Sequence, residues 1–156
     1  MTAASLGICL ALALGPEVFI PSQRFTLAWV HSIEKVRWEE DYAVGRNGDP
    51  QAPTLIYALA ARVKGSAAGM EPGPGAVLKN GWYEYVPAVQ RHESLSLMRS
   101  FYTPDYELCL NGHCRPMSDY LASDGGITML RACEAPKPKQ SSPDKIRGLV
   151  EAWQSG

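Results

Sequence analysis

Residues 25–44 have the sequence FTLAWVHSIEKVRWEEDYAV, and their alternating pattern predicts two adjoining strands. Side chains alternate across a strand, so the first half places on one face Phe25, Leu27, Trp29, His31 and Ile33. The second half places on one face Val36, Trp38, Glu40, Tyr42 and Val44. With Glu34 and Lys35 as the connection, His31 would lie opposite Trp38, and Trp29 opposite Glu40. The segment therefore predicts an aromatic hairpin that carries a histidine and a carboxylate.

His31 and Glu40 become diagonal neighbours in this hairpin, close enough for their side chains to meet. A carboxylate on an apolar face is costly to bury unless it is paired. The pair could be a structural lock, or a site in which Glu40 or Glu34 orients His31 as a general acid or base. The lock is favoured, since no nucleophile can be named beside His31. The candidate binding residues are His31, Glu34, Glu40, Trp29 and Trp38.

Length and composition predict a single all-β domain. The chain has 156 residues, enough for one ordinary domain, and its 12 prolines and 14 glycines suit short strands joined by turns. We expect an antiparallel β-sandwich or a partly closed barrel of about eight strands. The net charge of −1 indicates neither nucleic acid nor an anionic membrane as partner.

The N-terminal run LGICLALAL, residues 6–14, is open to two interpretations. It resembles the apolar part of a signal peptide, but no Lys or Arg precedes it. It is also too short to cross a membrane. We expect a buried strand, and a chain that is not membrane-spanning.

Asn-Gly dipeptides at 47–48, 80–81 and 111–112 predict hairpin turns. Residues 54–63 are apolar on both faces apart from Arg62, which predicts a central strand. Residues 65–75, GSAAGMEPGPG, form either a surface crossover or a mobile loop beside a pocket. They do not match a phosphate-binding loop, and the sequence indicates no cofactor.

The spacing of Cys109 and Cys114 predicts a disulfide. A two-residue turn at 111–112 makes the two cysteines face each other across a hairpin, at a separation that a disulfide can span. Such a bond favours the periplasm over the cytosol. Cys9 and Cys133 are expected to be small buried hydrophobes. A metal set is not expected, because its possible ligands lack diagnostic spacing: His31, Glu34, Glu39, His92 and Glu93.

The C-terminal part differs from the β-rich domain at 1–134. Residues 135–142 are a polar linker, and residues 143–154 predict a helix with Pro143 at its first position. Its apolar stripe consists of Ile146, Leu149, Val150 and Trp153. This helix either docks on the domain or anchors a partner.

Three segments resemble the bacterial family known as domain of unknown function 1850. They are FTLAWVHSIEKVRWEEDY at 25–42, AGMEPGPGAVLKNGWYEY at 68–85 and YELCLNGHCRPM at 106–117. The most specific element is His31-Ser32 followed by Glu34. The resemblance implies a genomic context, because members are often encoded beside, or fused to, the membrane subunit of TAXI-type TRAP transporters, which import small organic acids. It implies no catalytic activity.

We therefore expect an accessory or binding domain, whose partners are TRAP transporter subunits or a small carboxylate ligand. The alternative is a small enzyme that uses His31 with Glu40 or Glu34 as a general acid/base pair.

Overall fold

The computed structural model describes residues 5–31, 35–65 and 75–137. These residues form twelve strands: β1 (Leu6–Leu12), β2 (Glu17–Ile20), β3 (Arg24–Val30), β4 (Arg37–Gly45), β5 (Leu55–Lys64), β6 (Val77–Lys79), β7 (Trp82–Tyr85), β8 (Arg91–His92), β9 (Ser94–Met98), β10 (Glu107–Leu110), β11 (His113–Pro116) and β12 (Ile127–Glu134). The all-β prediction is confirmed, with shorter and more numerous strands than expected.

The strands form two antiparallel sheets. The small sheet has the order β2-β1-β12-β9, and the large sheet has the order β11-β10-β3-β4-β5-β7-β6, with β8 also paired to β5. Residues 6–12 are thus a strand, as predicted, and β12 is its neighbour. The strand predicted at 54–63 is also central, since β5 pairs with β4, β7 and β8.

The two sheets pack face to face as a sandwich and do not close into a barrel. Their inner faces share one core, to which both sheets contribute large side chains such as Leu10, Leu130, Leu27 and Ile56. The small sheet lies over the Leu55 end of β5, where the Thr54 hydroxyl donates to the Ala132 carbonyl at 3.2 Å. The opposite ends of β4 and β5 extend beyond this contact.

The predicted register of the β3–β4 hairpin is wrong by two residues. Trp29 lies opposite Trp38, and Leu27 lies opposite Glu40. The hairpin closes with a hydrogen bond from the His31 amide to the Val36 carbonyl at 2.9 Å, so its connection is longer than the two residues predicted. Lys35 has a φ of 57°, a left-handed conformation that residue type alone does not predict for lysine.

Two of the three Asn-Gly turns are confirmed. Both residues have positive φ at Asn80-Gly81, between β6 and β7, and at Asn111-Gly112, between β10 and β11. Asn47-Gly48 instead lies within the longer connection 46–54, where only Gly48 has a positive φ. The predicted hairpin is present between β4 and β5, but its connection is longer than a two-residue turn.

The predicted C-terminal helix at 143–154 lies outside the described residues, as do most of the predicted linker at 135–142 and most of the glycine-rich segment 65–75. The helical element within the described residues is a 3-10 turn at Met117–Asp119. None of the helices that the structure describes is long and apolar enough to cross a membrane.

Candidate binding site

An aromatic row crosses the inner face of the large sheet beyond the small sheet. Strand register places these positions side by side, from β10 to β7: Tyr106, Trp29, Trp38, Val63 and Tyr83. The indoles of Trp29 and Trp38 stack with ring centroids 6.1 Å apart, and the Tyr106 ring lies 5.9 Å from Trp29. The four aromatic side chains are only partly buried, whereas Val63 between Trp38 and Tyr83 is buried, so the rings form an accessible margin of the core.

Glu40 occupies the centre of the adjacent row. The register aligns it with Leu27 on β3 and Ala61 on β5, and Ala61 is in turn opposite Tyr85 on β7. Leu27 and Ala61 are buried, whereas Glu40 is half-buried. A carboxylate therefore lies among apolar and aromatic side chains, where water screens its charge less than at an open surface.

Tyr42 holds the Glu40 carboxylate in place. Its hydroxyl donates a hydrogen bond to Glu40 Oε2, and its ring stacks on Phe25 at 5.2 Å. Burial raises the pKa of Tyr42, and the hydrogen bond to Glu40 raises it further. The phenol consequently remains a proton donor to Glu40 throughout the physiological pH range.

Two further phenols respond to the charge of Glu40. Burial raises the pKa of Tyr85, and the negative charge of Glu40 adds to that increase. Burial likewise raises the pKa of Tyr106, with additional contributions from Glu40 and Asp105. Tyr85 and Tyr106 thus lie on either side of a common carboxylate.

His31 lies at the end of the aromatic row, with its ring 6.2 Å from that of Trp38. The corrected register removes the predicted diagonal contact with Glu40, because Glu40 faces Leu27, four residues before His31. That separation corresponds to about 13 Å along the strand. Glu34 lies outside the described residues. The structure thus groups Trp29, Trp38 and Glu40, and it places His31 at the margin of that group.

Trp38 is held by ring packing. Its Nε1 atom is buried, and no acceptor among the described residues receives its hydrogen. Alternation placed Tyr42 on the face of Trp38 and Glu40, but sequence reasoning did not count it as a binding residue, and it missed Tyr85 and Tyr106 as members of the site. Tyr106 is brought in by the β10–β3 pairing, which leaves no local sequence signal.

The outer face of the large sheet carries an outer ion network, composed of Arg37, Glu39, Asp41, Arg62 and Glu107. Arg62 bonds Glu39 at 2.6 Å and Asp41 at 2.8 Å. Glu39 and Asp41 are therefore not simply solvated, because Arg62 of the neighbouring strand pairs with both. A cavity of about 750 Å³ borders this network, but Arg62, Glu39 and Asp41 beside it already pair with one another.

The described residues contain no group of three or more His, Cys, Asp or Glu side chains that could hold a metal ion. His92, one of the possible ligands, contacts the Tyr42 ring edge-on at 6.4 Å. Glu39, another, belongs to the outer ion network.

The cysteines lie in two pairs. Cys109 and Cys114 face each other across the β10–β11 hairpin, as predicted, and the structure joins them. It also joins Cys9 to Cys133, although the sequence predicts only small buried hydrophobes there. Both are buried, but the pairing of β1 with β12 makes them diagonal neighbours across 124 residues of sequence.

Comparison with known proteins gives one family. The family model described as domain of unknown function (DUF1850) matches residues 25–117, which is more than half of the chain and includes the aromatic row. None of the curated proteins and none of the solved structures matches the chain.

Proposed function

This chain belongs to the DUF1850 family, and we propose that it is a ligand-binding domain whose site is the aromatic row together with Glu40. The observation that carries the proposal is a half-buried carboxylate on the sheet face beside partly exposed aromatic rings. Small-molecule sites typically combine apolar and aromatic walls with a few oriented polar groups. Tyr42 supplies such orientation by fixing the Glu40 carboxylate.

For the pair of His31 with Glu40, the arrangement around Glu40 favours binding over catalysis. A general acid/base pair requires the two groups within hydrogen-bond reach. Glu40 accepts its hydrogen bond from Tyr42, a phenol whose pKa is raised, and the register separates it from His31 by four residues of β3. The site can hold a ligand without transferring its protons.

We further propose that the domain acts as an accessory to a TAXI-type TRAP transporter, in an oxidising compartment such as the periplasm. The transporter context rests on the family resemblance. The compartment is supported by the pairing of all four cysteines, since disulfides persist outside the reducing cytosol.

The test compares two tryptophans of the same large sheet. Trp38→Leu removes a ring from the aromatic row, whereas Trp82→Leu removes one from the opposite face of β7, where Lys64 lies 5.6 Å above it. Both variants are first checked for folding by circular dichroism. Ligand binding is then followed by intrinsic fluorescence, and substrate uptake is measured in a host that carries the transporter.

We expect Trp38→Leu to lose ligand binding and uptake support, and Trp82→Leu to retain both. A folded Trp38→Leu protein that matches the wild type in both assays would refute the proposed site.

A further inference from the structure

The charges around the aromatic row select a class of ligand. Strand register places these side chains in the row of Glu40: Leu108, Leu27, Glu40, Ala61 and Tyr85. From β10 to β7, Glu40 is the charged side chain among the described positions of this row and of the aromatic row. Arg115 on β11 lies opposite Leu108 and ends the row, three strands away from Glu40. A ligand seated there meets a negative site.

We propose that the site binds a small organic ammonium ion, an inference that rests on the binding function proposed above. Glu40 supplies the opposite charge, and Trp29 and Trp38 supply adjacent ring faces. A cation held within about 6 Å of an indole centroid is attracted by the ring's electron-rich face, and trimethylammonium groups are a common ligand of such aromatic enclosures.

The same geometry disfavours the small carboxylate that the transporter resemblance suggested as ligand. A ligand carboxylate over the aromatic row would lie near Glu40, and like charges repel more strongly where water is partly excluded. It would also face the electron-rich faces of Trp29 and Trp38. Burial raises the pKa of Tyr85 and of Tyr106, and the negative charge of Glu40 adds to both increases, in keeping with its place between them on the sheet.

The hydrogen bond from Tyr42 contributes preorganisation. It fixes the Glu40 carboxylate before a ligand arrives, and Tyr42 is itself fixed by burial and by stacking on Phe25. A preset carboxylate loses little conformational freedom on binding, which favours affinity for a small cation.

The experiment titrates the full chain by calorimetry with choline, its uncharged isostere 3,3-dimethylbutan-1-ol and propionate, and a separate assay measures binding to phosphatidylcholine vesicles. The variants are Glu40→Gln and, as a matched control, Glu84→Gln, an exposed glutamate on the opposite face of β7. The amide of Glu40→Gln still accepts the hydrogen bond from Tyr42, so the change removes charge while keeping shape. Tyr85→Leu provides a second variant if Glu40→Gln does not fold.

We expect choline to bind, and we expect the Kd of the uncharged isostere to be at least about tenfold higher. A tenfold difference in Kd corresponds to one well-placed charge interaction. Glu40→Gln should raise the Kd for choline by at least about tenfold, and Glu84→Gln should leave this Kd unchanged. Tyr85→Leu should also weaken choline.

Each other result overturns part of the proposal. Equal binding of choline and its isostere, or preferential binding of propionate, rejects the ammonium class but leaves a binding domain. No binding of any probe rejects the ammonium class, and the Trp38→Leu uptake assay then decides the proposed function separately. Binding to phosphatidylcholine vesicles without binding of free choline would assign the surface to a lipid headgroup and reject the small ligand.

Discussion

Arg99, directly after β9, connects the loop before β10 and the segment after β11 to the β9–β12 pair. Its side chain is completely buried, and its guanidinium donates to both carboxylate oxygens of Asp105, to the Thr128 hydroxyl and to the Leu121 carbonyl. Burial alone would raise the pKa of Asp105, but the hydrogen bonds and charge of Arg99, with two backbone amides, bring it below its usual value. One side chain thus fixes the loops between β9, β10 and β12.

The first prediction is that Arg99→Met destabilises the fold by roughly 3–5 kcal/mol, because it leaves the Asp105 carboxylate without its cation. The matched control is Arg131→Met, which breaks the exposed ion pair with Glu17 and should cost at most about 1 kcal/mol. Urea unfolding of both variants measures the difference. Equal losses would contradict the role given to Arg99.

The second prediction concerns Gly7, where the small sheet leaves no room for a side chain. A Cβ atom would overlap the Ile20 carbonyl oxygen and lie 2.8 Å from the Phe19 ring. Gly7→Ala should therefore destabilise the protein by about 1–3 kcal/mol, the usual cost of overpacking. Gly45→Ala is the control, because its Cβ would meet only the Tyr57 ring, at 3.7 Å. A similar midpoint for Gly7→Ala and the wild type in urea would count against the close approach of β2 to β1 at this glycine.

At the scale of strands and turns, the sequence correctly predicts the backbone geometry of a turn where a single dipeptide determines it. Asn80-Gly81 and Asn111-Gly112 adopt the expected positive φ angles, and Cys109 faces Cys114 as a consequence. The β3–β4 hairpin differs, because its register depends on Lys35 adopting a left-handed conformation. The face assignment of Trp29, Trp38 and Glu40 survived this error, since a shift of two residues preserves the alternation of side chains.

The third prediction concerns the outer ion network. Burial would raise the pKa of both Glu39 and Asp41, but hydrogen bonds from Arg37 and Arg62 to Glu39, and from Arg62 and Thr26 to Asp41, lower both values overall. A carboxylate with a lowered pKa in the folded state adds stability above its unfolded pKa of about 4. That contribution disappears as the pH falls through the folded values.

The wild type should therefore lose stability below about pH 4 more steeply than the variant Glu39→Gln/Asp41→Asn, which has no such groups to protonate. Urea unfolding midpoints at neutral and acidic pH measure how steeply the stability of the wild type and of the double variant changes with pH. Glu84→Gln, outside the network, should follow the wild type. Parallel slopes for the wild type and the double variant would contradict the prediction.

At the scale of the whole molecule, the sandwich depends on contacts that sequence patterns do not show. The pairing of β1 with β12 brings together residues from opposite ends of the domain, and the β10–β3 pairing brings Tyr106 to Trp29. Alternation predicts which side chains share a face, but it does not specify which distant strand comes next. That is why the sequence predicts Cys9 and Cys133 as separate buried residues, and why it predicts only part of the aromatic row.

The fourth prediction follows from the unequal loops that the two cysteine pairs close. Cys9 and Cys133 are 124 residues apart, whereas Cys109 and Cys114 are 5 residues apart. A cross-link mainly restricts the unfolded chain, by about 4.7 kcal/mol for a 100-residue loop and by about 3 kcal/mol for a 15-residue loop. Cys9→Ala/Cys133→Ala should consequently lower the free energy of unfolding far more than Cys109→Ala/Cys114→Ala.

The measurement begins with the intact mass of non-reduced protein, which should lack two hydrogens for each bridge, and with peptide mapping that assigns the pairs. Urea unfolding of the two double variants under non-reducing conditions then compares their stabilities. Alkylation of all four thiols in non-reduced protein would contradict the bridges themselves. The long loop closed through β1 and β12 should restrict the unfolded chain more than the short hairpin does. Equal losses of stability in the two double variants would therefore show that loop length does not govern the effect of the bridges.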